Sequence, residues 1–60
     1  MTNSKYYQIK IKDRTGDVSN FTSLEEPEYD DNGDFCIYAS EGMVLVNMSN
    51  IIYVIVNEVS

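Results

Sequence analysis

The chain contains no histidine and no tryptophan, and only one cysteine and one proline in 60 residues. Each shortage removes a class of explanation. Cys36 alone cannot close a disulfide within the chain. With no histidine and a single thiol, neither a zinc cluster nor a Cys–His catalytic dyad can be assembled. The longest uninterrupted apolar run, Ile51 to Val56, falls far short of the ~20 residues that cross a bilayer. The opening MTNSKYYQIKIKD has no apolar h-region, so a secretory signal is not expected. An unpaired thiol suits a reducing compartment, and the expected location is the cytoplasm, away from membranes.

Positive charge is scarce as well. The four basic residues, Lys5, Lys10, Lys12 and Arg14, lie within the first 14 positions, and the net charge is −6. From Thr15 onward there are acids and no base. Such a surface repels phosphate backbones, which argues against direct nucleic-acid binding. It attracts basic patches on other proteins, with a strength that salt reduces.

Sixty residues form one domain, 1–60. A chain of this length buries only ~60% of the surface its unfolded form exposes. Domains this small usually depend on disulfides, a metal or a second copy. The composition excludes a disulfide and a zinc site, which points to self-association. An apolar content of 43% supports a small core and argues against disorder.

Periodicity predicts an all-β domain. In residues 5–12, KYYQIKIK, Tyr7, Ile9 and Ile11 alternate with Gln8, Lys10 and Lys12, the pattern of a half-buried strand. DRTGD supplies a turn, with Gly16 free to take positive φ. VSNFTSL at 18–24 has no clean apolar face and reads as a short edge strand. DFCIYA (34–39), MVLVN (43–47) and IIYVIVNE (51–58) are further strands, with a bend or one 3₁₀ turn at MSN. The connections are too short for helical crossovers, so the strands are antiparallel. Four to five strands in a small antiparallel sheet or open barrel, completed by homodimerisation, is the expected architecture.

The last strand motivates the homodimer. Strict alternation puts Ile51, Tyr53 and Ile55 on one face and Ile52, Val54 and Val56 on the other. Both faces are apolar, unlike a sheet with one wet face. The strand is then either central in a rolled monomer or covered by a second chain. Ile52, Val54 and Val56 are the candidate dimer interface.

EEPEYDDNGD, residues 25–34, concentrates carboxylates. EPEYDDNGDFCIYA partly fits a calcium loop, with Glu28, Asp30, Asn32, Gly33 and Asp34 in place. The terminal bidentate Glu is replaced by Ala39, and Pro27 stands where an entering helix would end. Asn32-Gly33 reads better as a hairpin turn. The acidic stretch is a hydrated loop, a surface for Lys and Arg on a target protein, or a weak cation site. Its candidate partner-binding residues are Glu25, Glu26, Glu28, Tyr29, Asp30, Asp31 and Asp34, with Tyr29 as the interface anchor. Cys36 is a small apolar filler or an exposed strand residue. No phosphate loop, dinucleotide fingerprint or metalloprotease motif occurs. A sheet this small has little room for a pocket of ~300 Å³ or more. No catalytic residue, cofactor or metal is assigned.

By size, acidity and the closing EGMVLVNMSNIIYVIVNE segment, the chain resembles the small acidic early proteins that bacteriophages use to block host enzymes or anti-phage defence. The resemblance is one of type and transfers no functional residues. It implies a stoichiometric, non-catalytic inhibitor of a host protein, one of defence or of nucleic-acid handling. Two other readings are an accessory module that joins an assembly through an edge strand, and a cation-binding regulatory module.

Overall fold

The computed structural model describes residues 5–60. It contains six strands: β1 (Tyr6–Asp13), β2 (Val18–Ser23), β3 (Glu28–Tyr29), β4 (Phe35–Ala39), β5 (Gly42–Val46) and β6 (Ile51–Val59). A 3₁₀ turn, Met48–Asn50, precedes β6. The strands form two three-stranded antiparallel sheets, ordered β2-β1-β6 and β3-β4-β5. The fold is thus all-β and antiparallel, as the periodicity predicts. It has two sheets in place of one, no closed barrel, and an extra two-residue strand, β3.

β1 behaves as its alternation requires. Ile9 and Ile11 are buried, while Gln8 and Lys10 face water. Opposite them, Phe35 and Ile37 of β4 are buried, and the four side chains form the centre of the core. Val44 and Val46 of β5 pack against it because the register pairs them with Ile37 and Phe35. Met43 and Leu45, one step out of phase, are exposed. Alternation thus sorts β5 into a covered and an uncovered face.

β2 has no apolar stripe of its own, and its neighbour sets its orientation. Phe21 pairs with Ile9 and Ser23 with Tyr7, so these β2 side chains turn toward the core. Val18 and Leu24 are left outside.

Ser23 joins the two sheets. It is fully buried, at 0% exposure. Its hydroxyl donates to the Glu25 carbonyl at 2.6 Å and accepts the Tyr38 N–H at 3.0 Å. The Leu24 N–H then donates to the Tyr38 carbonyl at 2.7 Å. As the chain leaves the first sheet it therefore runs alongside β4 and continues into β3. A buried hydroxyl is tolerable only because both of its hydrogen-bonding functions are used.

Two hairpins close with the same five-residue loop. In Asp13–Asp17 and Asp30–Asp34, the first aspartate's N–H donates to the last residue's carbonyl, at 3.0 and 2.9 Å. The glycine N–H donates to the first carbonyl, at 3.1 and 3.0 Å. The first aspartate's Oδ1 accepts the backbone N–H groups two and four residues on. Gly16 and Gly33 take φ of +96° and +84°, a region that disfavours side chains. This is a type I turn followed by a left-handed glycine.

β6 departs from the expectation for it. It is neither central nor covered on both faces: it is an edge strand paired only with β1. A register shift between Lys12 and Asp13 matches Tyr53 to Lys12 but Ile51 to Asp13, so β6 carries one extra residue. Such a bulge reverses the facing of the residues beyond it. Ile51 and Val54 both reach the core as a result, whereas Ile52, Tyr53, Ile55 and Val56 are exposed. Val54 and Val56 share the face set opposite Ile11 and Ile9, and Ile52, the extra residue, drops out of that alternation.

The molecule is elongated, 42 × 24 × 17 Å, with a radius of gyration of 12.0 Å, against about 10.4 Å for a compact chain of this length.

Candidate functional site

The acidic stretch runs from the end of β2 through the β3–β4 hairpin. The structure divides its carboxylates into two groups. Asp30 is committed to the loop, because its Oδ1 accepts the N–H groups of Asn32 and Asp34, each at 2.9 Å. Glu28 accepts a 2.8 Å hydrogen bond from the Tyr38 hydroxyl across the sheet. Asp34 is half-buried behind the turn, whereas Glu25, Glu26 and Asp31 face solvent. Of the residues singled out for partner binding, these three are the most available. Glu28 contributes a fixed carboxylate, and Asp30 is a structural element of the turn.

Tyr29 is 61% exposed. Its ring meets Phe35 edge-on, with centroids 5.3 Å apart and planes at 61°. One edge of an aromatic pair is thus secured by the core while the rest of Tyr29 stays open. Glu25, Glu26, Pro27, Glu28 and Tyr38 line an open depression of about 360 Å³. It is shallow, acidic on three sides and has an aromatic ring in its wall. Such a surface can accept an ammonium or guanidinium group. Among the described residues, no group of three or more His, Cys, Asp or Glu side chains is placed to hold a metal ion.

The acids leave their mark on their neighbours. The Glu28 carboxylate pushes the Tyr38 hydroxyl up to about 12, and partial burial adds to the effect. The Cys36 thiol is also raised, first by burial and then by the negative charges of Asp30, Glu28 and Asp34. Cys36 is buried and thus acts as filler, with its thiol held protonated. An acidic environment is the opposite of what activates a cysteine.

Two features escaped the reading of the sequence: the role of Ser23, and the pattern that its two expected turns share. Ser23, which fixes the Glu25 carbonyl, carries no signal, since a buried serine looks like any other polar residue. The recurring loop does carry one: Asp-x-x-Gly-Asp occurs at 13–17 and again at 30–34. Comparison with protein-family models, curated proteins and solved structures finds no match to the chain. No helix is long and apolar enough to cross a membrane among the described residues.

Proposed function

We propose that this protein is a small, non-catalytic, homodimeric binding module that blocks a basic host protein through its acidic hairpin, in the manner of bacteriophage inhibitors of host or defence proteins. The observation that carries the reading is the open depression in which Glu25, Glu26 and Glu28 lie beside Tyr38, on a segment that also exposes Tyr29 and Asp31 and ends in an internally bonded turn. A rigid scaffold lowers the ordering cost of association. An aromatic anchor within a charged rim is the usual composition of a contact surface. The target class is a cytoplasmic protein with a basic groove, such as one that handles nucleic acid, since its surface potential is complementary. Self-association enters because the chain exposes more large apolar side chains than it buries.

The test is affinity capture from a bacterial lysate with wild type and with a Glu25→Lys, Glu26→Lys, Asp31→Lys variant. Wild type retains a basic protein that elutes as salt rises. The variant, folded by circular dichroism, binds it at least ~10-fold more weakly, a change of about 1.4 kcal/mol. Retention that ignores both salt and charge reversal would rule out the acidic surface and favour a module that docks through an edge strand.

A further inference from the structure

The exposed apolar residues are not scattered evenly. Ile52, Tyr53, Ile55 and Val56 belong to β6. β6 spans nine residues and has one edge unpaired within the chain. From Ile51 to Asn57 it carries no charge, no proline and no glycine. Proteins ordinarily protect such an edge with lysine, proline or brevity. The other free edges differ. β3 has two residues, β5 has five and adjoins Glu41, and β2 exposes Asn20 and Thr22 and adjoins Asp17.

We infer that β6 pairs antiparallel with β6 of a second copy, about a two-fold axis through Val54, making one continuous six-stranded sheet. This rests on the self-association in the reading above and specifies its geometry. The pattern of β6 is symmetric about Val54, since the exposed residues lie one and two positions to either side of it. A two-fold axis there sets Tyr53 opposite Ile55, with Val54 opposite itself, and the bulge at Ile52 falls just outside this regular stretch. Every cross-strand pair near the axis is then apolar, as stable pairs on a covered surface are. An isologous interface requires this self-complementarity. Charge agrees with it. The first acid, Glu58, lies four residues from the axis and already pairs with Lys5 at 3.3 Å. Two chains of net charge −6 can therefore meet without opposing carboxylates. Val54 packs on the core of its own chain, so the two cores adjoin across the axis.

The test combines sedimentation with amide hydrogen exchange on the full chain. The expected particle has twice the 6.9 kDa chain mass. Alternate β6 amides, those turned away from β1, exchange at least ten times more slowly in concentrated than in dilute protein, about 1.4 kcal/mol of protection. Ile55→Lys, at an exposed position, yields a folded monomer without that protection. A second variant covers the case in which Ile55→Lys fails to fold. Tyr53→Cys with Ile55→Cys, in a Cys36→Ser background, should cross-link two chains on oxidation. Opposed residues sit about 4.5–5.5 Å apart between Cα atoms, within the range of about 4.4–6.8 Å that a disulfide spans. A dimer with unprotected β6 amides and no cross-link overturns the edge pairing and leaves self-association standing. A monomer at every concentration overturns both. Neither outcome bears on the acidic hairpin.

Discussion

Tyr38 and Glu28 show how one hydrogen bond ties a charge to the fold. The Tyr38 hydroxyl donates to the Glu28 carboxylate at 2.8 Å. Ionising the phenol would replace that bond with repulsion between two anions, so its ionisation moves from 10.0 up to about 12. The raised value means the native state favours the protonated phenol. Its stabilising effect is complete below pH 10 and is lost as pH rises toward 12. Ultraviolet titration should find one tyrosine that ionises well after the others, and Glu28→Gln should return it toward the ordinary range. If all tyrosines titrate together in wild type, the hydrogen bond does not form in solution.

Elements are held together here by few contacts, which makes the joint between sheets sensitive. Ser23 links the end of β2 to β4 through Tyr38 and steers the chain into β3 through Glu25. Ser23→Ala leaves the part-buried Tyr38 N–H and the Glu25 carbonyl short of a partner, at a cost of roughly 1 kcal/mol. Urea unfolding should show the loss as a lower midpoint with an unchanged slope. An unchanged midpoint would mean that the sheets are joined by core packing alone. The hairpin loops are legible at this level. Asp, Gly and a fixed spacing meet the needs of a type I turn with a left-handed glycine, and no distant residue is required.

For the molecule as a whole, charge opposes compactness. A net −6 on 60 residues, with no base after Arg14, repels itself in the folded state more than in the expanded one. Salt screens that repulsion. Raising salt should increase thermal stability by ~0.5 kcal/mol, about 2–4 °C for a domain of this size. Calorimetry at low and high salt checks it. A melting temperature that falls with salt would show that attractive pairs, such as Lys5–Glu58, outweigh the repulsion. Concentration must be held constant, because association also raises apparent stability.

Strand class, antiparallel pairing, the turns at Gly16 and Gly33 and the inward set Ile9, Ile11, Phe35 and Ile37 were all legible in the order of residues. They depend on period-two patterning and local turn chemistry, which act between near neighbours. The same holds for the acidity of residues 25–34, which belongs to composition. Four features required the folded arrangement. β2 took its facing from β1 through register. Ser23 became the joint because two sheets meet there, and Glu28 and Asp30 were withdrawn from the acidic set by bonds to Tyr38 and to the turn. In β6, a one-residue bulge against Lys12 and Asp13 broke the alternation on which the interface Ile52, Val54 and Val56 rested. A bulge is a mismatch between two strands, so neither strand's sequence records it.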